Sequence, residues 1–307
     1  MDQSLLIHIT KMNDFIVDNN TYILAKDSNK NDVDNKTIQD IIFLLFLEID
    51  RICRKNNIPY ALSFGSALGL YNYGGFIPWD DDGDIAINYD DYDKFVDALK
   101  SDLGDDFTFE CFEVDNRVPI IIPPIKVRYK HSNIVEKNHI TIPNRTNRGN
   151  GIFVDICPFM GVPSDIKEHK KLIFKTKIRM PWLVLLEGIA KLNCLKTKSR
   201  LKKFEKEMAN QYHDSDYVSQ SILIPFQEYP RKIVEHLSFP RDVIYPFKEY
   251  DFNGHKLYSF NNIEEFCRLR YGQKALKIKT ENGYAAPFRY NGSSHLIKVD
   301  IYKKEGK

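Results

Sequence analysis

Four aspartates within five consecutive positions, set inside an apolar stretch, constrain this chain more than any other feature of its sequence. They are Asp80, Asp81, Asp82 and Asp84, between the apolar segments 76–79 and 85–87. Like charges this close repel one another, so a fold tolerates them when a cation binds there or when water solvates them all. Because apolar residues flank the cluster, it is not an acidic tail. It predicts a cation site, and an Asp-rich turn at the start of a strand is the structural alternative.

The residues around the end of the cluster predict a strand over 82–88. Side chains on a strand alternate between its two faces, so Asp82 and Asp84 would share one face while Ile85 and Ile87 point to the other face, into the core. Two carboxylates on one face can bind a hard divalent ion such as Mg²⁺ through oxygen. The pattern therefore favours Asp82 and Asp84 as metal ligands.

Two further elements accompany the aspartates. Phe64-Gly-Ser66 precedes a short predicted helix over 67–71. Glycine lets a backbone approach a phosphate, and a helix N-terminus offers N–H donors, although the same residues also describe an ordinary turn. Asp155 stands alone inside a predicted apolar strand. A buried lone Asp is disfavoured unless it is paired or metal-bound, so Asp155 is either a salt-bridged structural residue or a ligand.

Size and composition set broad limits. The chain has 307 residues, 43% of them hydrophobic and 28% charged, which suits one large domain or a domain with an appendage. Its 44 basic and 42 acidic residues give a net charge of +2, so we expect no nucleic-acid partner. The five cysteines are widely spaced, which predicts free thiols in a reducing compartment rather than zinc or disulfides.

Targeting signals are not evident in the sequence. The first residues lack the apolar core of a signal peptide, and no run reaches the roughly 18–20 apolar residues that a membrane span needs. We therefore expect a cytoplasmic protein without a transmembrane segment, with peripheral contact at the inner face of the membrane as a further expectation.

Apolar periodicity predicts an α/β (α+β) chain, in which an α/β part comes first, an appended helical region follows and the tail is mixed. The predicted helices are 38–57, a helix after Asp90-Asp91, 165–179, 181–192, 199–213 and 263–270 with Gly272 as its cap. The predicted strands are 60–64, 82–88, 107–114, 120–131 and 151–157, the last one stopped by Pro158. We divide the chain into a lead-in (1–36), a catalytic core (37–163), a helical region (164–238) and a tail that packs on the core (239–307).

The order of these motifs resembles the nucleotidyltransferase superfamily, and longer blocks are similar to the LicD family within it. The resemblance covers roughly residues 38–290. The blocks that carry it are Ile58-Pro-Tyr-Ala-Leu-Ser-Phe-Gly-Ser-Ala-Leu-Gly69, Gly75-Phe-Ile-Pro-Trp-Asp-Asp-Asp-Gly-Asp-Ile85, Asp90-Asp91-Tyr92 with Phe95, Val154-Asp-Ile156 with Pro158, Gly161-Val-Pro163, Pro246-Phe-Lys248, Phe252-Asn-Gly254 and Tyr271-Gly272.

The LicD family includes bacterial phosphocholine transferases and the fukutin-related ribitol-phosphate transferases. The resemblance implies a nucleotidyltransferase-like fold with a mixed sheet core, and a metal-dependent reaction. In that reaction a substituted phosphate moves from a CDP-linked donor to a sugar hydroxyl, and CMP leaves. It also implies a glycan or glycolipid acceptor at the cell surface, such as lipopolysaccharide, capsule or teichoic acid.

By this resemblance Asp82 and Asp84 bind Mg²⁺ or Mn²⁺. Asp155 is a third ligand, or the base that takes the proton from the acceptor hydroxyl. Gly65 and Ser66 hold the donor phosphates. The metal would neutralise the diphosphate and the leaving CMP.

Three more residues are predicted to bind the donor. Lys126 and Arg128 lie two apart on a predicted strand, so they share a face and could reach phosphate oxygens, with solvated surface charges as the alternative. Trp79 could stack on the base, with a place in the core as its alternative. Arg145 and Arg148 could bind an anionic acceptor.

The sequence departs from the family pattern at two places. Gly83 stands where the family has an aliphatic residue, so we expect looser packing under the metal strand. The segment 67–73 lacks the basic residue that family members carry near the end of this helix. Asp80 and Asp81 either orient the metal shell or are solvated turn residues.

Three other functions remain open at this point. A nucleotidyltransferase that moves NMP onto a small molecule or protein would use the same three aspartates. A glycosyltransferase with an Asp-x-Asp motif usually lacks the preceding Gly-Ser helix. The third is a non-catalytic binding module, in which Gly83 would indicate that activity has been lost. The presence of all three aspartates argues against it.

Overall fold

The structure is a computed structural model that describes most of the chain. The described residues are 15–18, 21–24, 35–78, 80–118, 120, 125–136, 151–177, 186, 194–220, 238–276, 279–280, 283–284 and 296–301. The predictions for Trp79, for Arg145 and Arg148, and for most of the helix over 181–192 lie outside these residues.

The secondary-structure elements follow in chain order. The helices are α1 (Asn35–Lys55), α2 (Phe64–Tyr73), α3 (Tyr92–Asp102), α4 (Ile166–Lys177), α5 (Leu195–Gln211), α6 (Arg241–Ile244) and α7 (Ile263–Tyr271). The strands are β1 (Phe15–Asp18), β2 (Thr21–Leu24), β3 (Tyr60–Leu62), β4 (Asp84–Asn88), β5 (Phe107–Cys111), β6 (Ile125–Tyr129), β7 (Ser132–Glu136), β8 (Phe153–Gly161), β9 (Tyr217–Gln220), β10 (Phe239–Pro240), β11 (Lys248–Phe252), β12 (His255–Ser259), β13 (Lys279–Thr280), β14 (Gly283–Tyr284) and β15 (Leu296–Ile301).

One mixed sheet organises the described part of the chain. Its main order is β10-β9-β8-β4-β3-β12-β11, and β5 and β6 are added beside β8. The central strand β4 is parallel to β8 and antiparallel to β3. At the other side β12 joins parallel to β3. This mixed sheet with packed helices confirms the predicted α+β class.

Helix α1 forms the core of the molecule. The helix predicted over 38–57 runs from Asn35 to Lys55, and its apolar residues face every direction, which is typical of a buried helix. Phe43 and Phe46 are fully buried, and their rings lie 5.9 and 5.8 Å from the ring of Phe252 on β11. Burial of each such side chain stabilises the fold by about 1.5–3 kcal/mol.

Strand β8 does not stop at Pro158, as the sequence had predicted, but continues to Gly161. Its first half pairs with β6 through Ile156, and its second half pairs with β9 from Phe159 onward. Cys157 and Pro158 fall between these two pairings. Proline has no N–H to give to a neighbouring strand, and here it lies where β8 changes partner on that edge.

Four further predicted helices are confirmed with small shifts at their ends: the helix after Asp90-Asp91 and the helices over 165–179, 199–213 and 263–270. Helix α3 buries Tyr92, Phe95, Val96 and Leu99 as expected. Helix α7 ends at Gly272, whose φ of 83° suits glycine.

Helices α4 and α5 pack beyond the end of β8. Leu172 of α4 and Leu201 of α5 share a small apolar cluster with Met160 and Val162. Helix α5 is also held by charge, because Lys202 lies 3.1 Å from the buried Glu205 and 3.3 Å from Glu113. Some lysines of this Lys-rich region therefore have a structural role.

Candidate active site

The loop that carries the aspartates is held by the first turns of α1. Gln39 Nε2 donates to the carbonyls of Ile77 and Asp80, both at 2.8 Å. Asn35 Nδ2 donates to the carbonyls of Pro78 and Asp80 at 3.0 and 2.9 Å. These four bonds fix the backbone just before the Asp cluster.

Sequence reasoning missed Asn35 and Gln39. It placed Asn35 in the lead-in and began the helix later. The only available signal was two amide side chains four residues apart, which lie on one face once both belong to a helix. We identify both as positioning residues for the loop.

The strand predicted over 82–88 begins at Asp84, so Asp82 lies in the loop before it. The backbone of Asp84 is fixed on both sides. Its N–H donates to Ser66 Oγ at 3.0 Å, and its carbonyl accepts from the N–H of Ser63 at 3.0 Å. Ser66 was predicted to bind donor phosphate, and in this structure its buried hydroxyl also positions the Asp strand.

Two carboxylates converge on Gly65. The point where a Cβ on Gly65 would lie is 2.8 Å from Asp80 Oδ2 and 3.8 Å from Asp84 Oδ2. A side chain there would collide with Asp80, so the close approach requires glycine. Gly65 lies in the first turn of α2, where the partial positive charge of the helix end favours carboxylates. The structure thus brings Asp84 together with Asp80, while Asp82 is half-buried in the loop.

The residue before Gly65 has an unusual backbone conformation. Phe64 has a φ of 42°, in the left-handed region that a bulky residue rarely adopts. Its ring packs near Phe159 and Phe266, with centroids 6.1 and 6.4 Å away, and the Arg270 guanidinium lies 5.3 Å from the ring centroid. Such strain persists where packing enforces it, and it clusters at binding sites.

Asp84, Asp155 and Lys126 form a row across three adjacent strands. Asp155 on β8 is in register with Asp84 on β4 and with Lys126 on β6. Lys126 Nζ lies 2.8 Å from Asp155 Oδ1, and the two side chains are 7% and 16% exposed. Asp155 is therefore salt-bridged, as one of its two interpretations predicted, and it lies beside the strand that carries Asp84. Its role as a metal ligand stays a prediction.

Lys126 and Arg128 lie on one face of β6, as predicted. Lys126 Nζ and Arg128 Cζ lie 3.3 and 5.0 Å from the centroid of the Phe153 ring. Arg128, however, forms a buried ion pair with Glu110 at 2.6 Å and donates to the carbonyl of Gly151 at 2.9 Å. Its guanidinium is thus bound to Glu110, and donor binding by Arg128 stays a prediction.

The expected looser packing at Gly83 is wrong. A Cβ at this position would lie 2.6 Å from Ile42 Cγ2 and 2.9 Å from Phe46 Cζ. These two side chains of α1 already fill the space that an aliphatic residue would take. In addition, the carbonyl of Gly83 accepts from the N–H of Asp155 at 2.8 Å. The glycine therefore lets α1 approach the backbone that carries both Asp84 and Asp155.

The donor set of the site suits a hard divalent ion. The carboxylates of Asp80, Asp84 and Asp155 supply oxygen, which Mg²⁺ and Mn²⁺ prefer. Over the ranges that the structure describes, no group of three or more His, Cys, Asp or Glu side chains is arranged to hold an ion. In this structure the positive charge next to Asp155 is the ammonium group of Lys126. The residues fit an ion in chemical type, with Asp155 bound to lysine in this conformation.

Comparison with known proteins gives two matches. Residues 57–182 match a family model described as LicD/FKTN/FKRP, nucleotidyltransferase domain. Lipopolysaccharide cholinephosphotransferase LicD of Haemophilus influenzae is 25% identical over 155 residues, which are 47% of this chain and 55% of that protein. The chain thus spans about half the length of this relative. Among the described residues, no helix is both long enough and apolar enough to cross a membrane.

Proposed function

We propose that this chain, whose residues 57–182 match the LicD/FKTN/FKRP family model, is a metal-dependent phosphotransferase of the LicD family. It moves a substituted phosphate, such as phosphocholine, from a CDP-linked donor to a sugar hydroxyl of a cell-surface glycan. The hydroxyl oxygen bonds to the substituted phosphorus, the bond from that phosphorus to CMP breaks, and the hydroxyl proton passes to a base. The observation that carries the proposal is the convergence of Asp80 and Asp84 on Gly65, with Asp155 in register beside them.

Donor binding at Gly65 supports the dependence on metal. A phosphate that approaches the first turn of α2 meets two carboxylates within 4 Å of the Gly65 Cβ position. Anions this close repel one another, so the approach needs a cation. Asp82 and Asp84 are the residues that we propose to hold Mg²⁺ or Mn²⁺, with Asp80 beside them. The ion would offset the charge of the diphosphate and of the leaving CMP.

Asp155 is the proposed base for the acceptor hydroxyl. Its carboxylate lies on the same row as Asp84 and is held by Lys126 at 2.8 Å. Lys126 orients this carboxylate, and contact of its ammonium group with a donor phosphate is part of the proposal. A third-ligand role for Asp155 would require that this ion pair open.

The name of the relative guides the choice of donor and acceptor. That protein is a lipopolysaccharide cholinephosphotransferase, so CDP-choline and lipopolysaccharide are the first substrates to test for this chain. CDP-ethanolamine, CDP-glycerol and CDP-ribitol carry other substituted phosphates that share the same diphosphate chemistry.

The test measures CMP release from each of the four CDP donors in the presence of a crude glycan extract. Each reaction is run with Mg²⁺, with EDTA, with Asp84→Asn and with Asp97→Asn. Asp97 is 74% exposed on α3 and is the matched control. We expect CMP from one donor, its loss with EDTA, and a fall of about 100-fold or more in Asp84→Asn only. Equal rates in both variants would contradict the assignment of the site.

The second candidate is a nucleotidyltransferase, which the description of the family model favours. It would use the same aspartates but would attach NMP to its acceptor. Pyrophosphate release from CTP or ATP, with no CMP from any CDP donor, would replace the phosphotransferase proposal with this one.

A further inference from the structure

Helix α4 presents an exposed face that combines lysines with apolar side chains. Ile166, Lys170 and Phe174 follow one another at four-residue steps, and Lys167, Lys171 and Lys175 do the same in the adjacent row. Residues four apart lie above one another on a helix. We call these six residues the lysine face of α4.

The apolar residues of the lysine face are open to solvent. Phe174 is 64% exposed and Ile166 is 39% exposed. The opposite side of the helix packs on the protein through His169, Leu172 and Ile173, which are 2–6% exposed. The helix therefore has its own apolar side buried, and Phe174 belongs to a second apolar element that points outward.

The lysines of this face form no close ion pair among the described residues, although Asp165 at the start of α4 interacts with Lys167 and Lys171 over a longer distance. In the part of the chain that the structure describes, none of Lys167, Lys170, Lys171 and Lys175 lies within 4 Å of a carboxylate. The one acidic residue within α4, Glu168, accepts instead from the hydroxyl of Tyr212 at 2.8 Å. The positive charge comes from the lysines alone, because burial lowers the pKa of His169 to about 4.

Neighbouring α5 shows the contrast. Its Lys202 lies between Glu113 and Glu205, and Lys206 lies 3.5 Å from Asp93. On α5, then, ion pairs help to hold the helix on the protein, whereas among the described residues Asp165 is the acidic neighbour of two of the four lysines on α4, and net positive charge remains on this face. An exposed cluster of like charges attracts ligands of the opposite charge, here polyanions.

The exposed ring of Phe174 distinguishes between a soluble polyanion and an anionic membrane as the partner of this face. A soluble acidic polymer would engage the lysines and leave the ring in water. At the surface of an anionic bilayer the ring enters the boundary between headgroups and acyl chains, and the lysines keep their ammonium groups at the lipid phosphates. We propose that the lysine face of α4 docks the protein on an anionic lipid surface. This inference does not depend on the reaction that the site catalyses.

The test is flotation of the full chain with vesicles of phosphatidylcholine alone and of phosphatidylcholine mixed with phosphatidylglycerol. We expect binding only to the anionic vesicles, and loss of binding when salt rises from about 0.1 to about 1 M, where the Debye length falls from about 10 to about 3 Å. Each lysine is worth about fivefold in affinity. The triple variant Lys167→Glu/Lys170→Glu/Lys171→Glu should therefore lose binding by more than 100-fold.

Matched control variants distinguish the effect of net charge, the effect of the Phe174 ring and the effect of unfolding on vesicle binding. Lys100→Glu/Lys248→Glu/Lys256→Glu changes the same charge on exposed positions of α3, β11 and β12 and should still bind. Phe174→Ser should lower affinity about 10-fold or more, whereas Phe174→Leu should retain most of it. All variants should keep the wild-type circular dichroism spectrum, because the changed side chains are exposed.

Two outcomes would overturn the proposal. In the first, the α4 triple variant binds anionic vesicles as the control triple does. In the second, the protein binds soluble dextran sulfate through the lysines while Phe174→Ser has no effect on vesicle binding. That result would assign the face to a soluble polyanion.

Discussion

The close contact between α1 and Gly83 leads to a prediction that can be worked out atom by atom. In Gly83→Ala the added methyl group would lie 2.6 Å from Ile42 Cγ2 and 2.9 Å from Phe46 Cζ. Ordinary contacts between carbon atoms are about 3.5–4.0 Å, so both side chains must withdraw by about 1 Å. Protein interiors are close-packed, and overpacking of this kind costs about 1–3 kcal/mol.

A smaller effect acts in the opposite direction. Alanine lowers the conformational entropy of the unfolded chain, which returns about 0.4–1 kcal/mol. The expected net loss in the free energy of unfolding is therefore about 1–2 kcal/mol. Urea denaturation followed by circular dichroism measures it. We also expect CMP release to fall, because the Gly83 carbonyl holds the N–H of Asp155.

A double-mutant cycle with Ile42 tests the physical cause. Ile42→Ala removes the methyl group that Gly83→Ala would meet, at the cost of a cavity worth about 2–5 kcal/mol. In that background the new methyl group enters vacated space, so the two changes should be less harmful together than their sum by about 1–2 kcal/mol. If Gly83→Ala is as stable as wild type and the two changes are additive, α1 does not press on residue 83 and the reasoning fails.

Three other predictions concern charge. Lys126→Met should lower the free energy of unfolding by about 3 kcal/mol, because it leaves the carboxylate of Asp155 without its counter-ion, and Lys126→Arg should retain most of the stability in the same urea assay. Arg128→Met should lower the free energy of unfolding by about 3–5 kcal/mol, because it leaves the buried carboxylate of Glu110 without a partner. The double variant Arg128→Met/Glu110→Leu should be close to neutral, and equal losses in the single and double variants would contradict a buried pair. Burial lowers the pKa of His169 from 6.5 to about 4. The neutral form therefore stabilises the fold above pH 6.5. This contribution to the free energy of unfolding, up to about 3 kcal/mol, is lost as pH falls through 4. Urea titrations at stepped pH should show a shallower acid loss in His169→Gln, and an unchanged slope would exclude His169 as the cause.

The elements of the fold could be predicted where the sequence signal is local. Apolar periodicity located α1 and α3 within about three residues, as is usual for helix ends. The isolated carboxylate in an apolar segment predicted that Asp155 is either paired or metal-bound, and the structure pairs it with Lys126. These features depend on residues a few positions apart, which a sequence displays directly.

The features that could not be predicted depend on residues far apart in the chain. The partner of Asp155 is Lys126 on another strand, and the register that joins them with Asp84 exists only after the sheet forms. The space beside Gly83 is filled by Ile42, which lies 41 positions earlier in the chain. From the sequence alone, the glycine therefore predicted a loss of packing that the structure does not have. Pro158 looked like a strand end because the change of partner along β8 is not visible locally.

The candidate site shows the same division. The residue types and their order predicted a group of carboxylates near a Gly-Ser turn. The conformation of the loop decided that Asp80, and not only Asp84, approaches Gly65. That conformation depends on Asn35 and Gln39, whose bonds reach over about 40 positions.

The change of partner along β8 also has a consequence for cooperativity. One continuous strand carries Asp155 beside β6 and then holds β9, with α4 following directly after it. Hydrogen exchange usually reveals units that open together, and a strand shared by two pairings joins them into one such unit. We therefore expect the amides of Phe153–Ile156 and of Phe159–Gly161 to exchange with the same opening free energy, so that the position of the Asp155 carboxylate and the packing of the helices beyond Gly161 are lost in a single event.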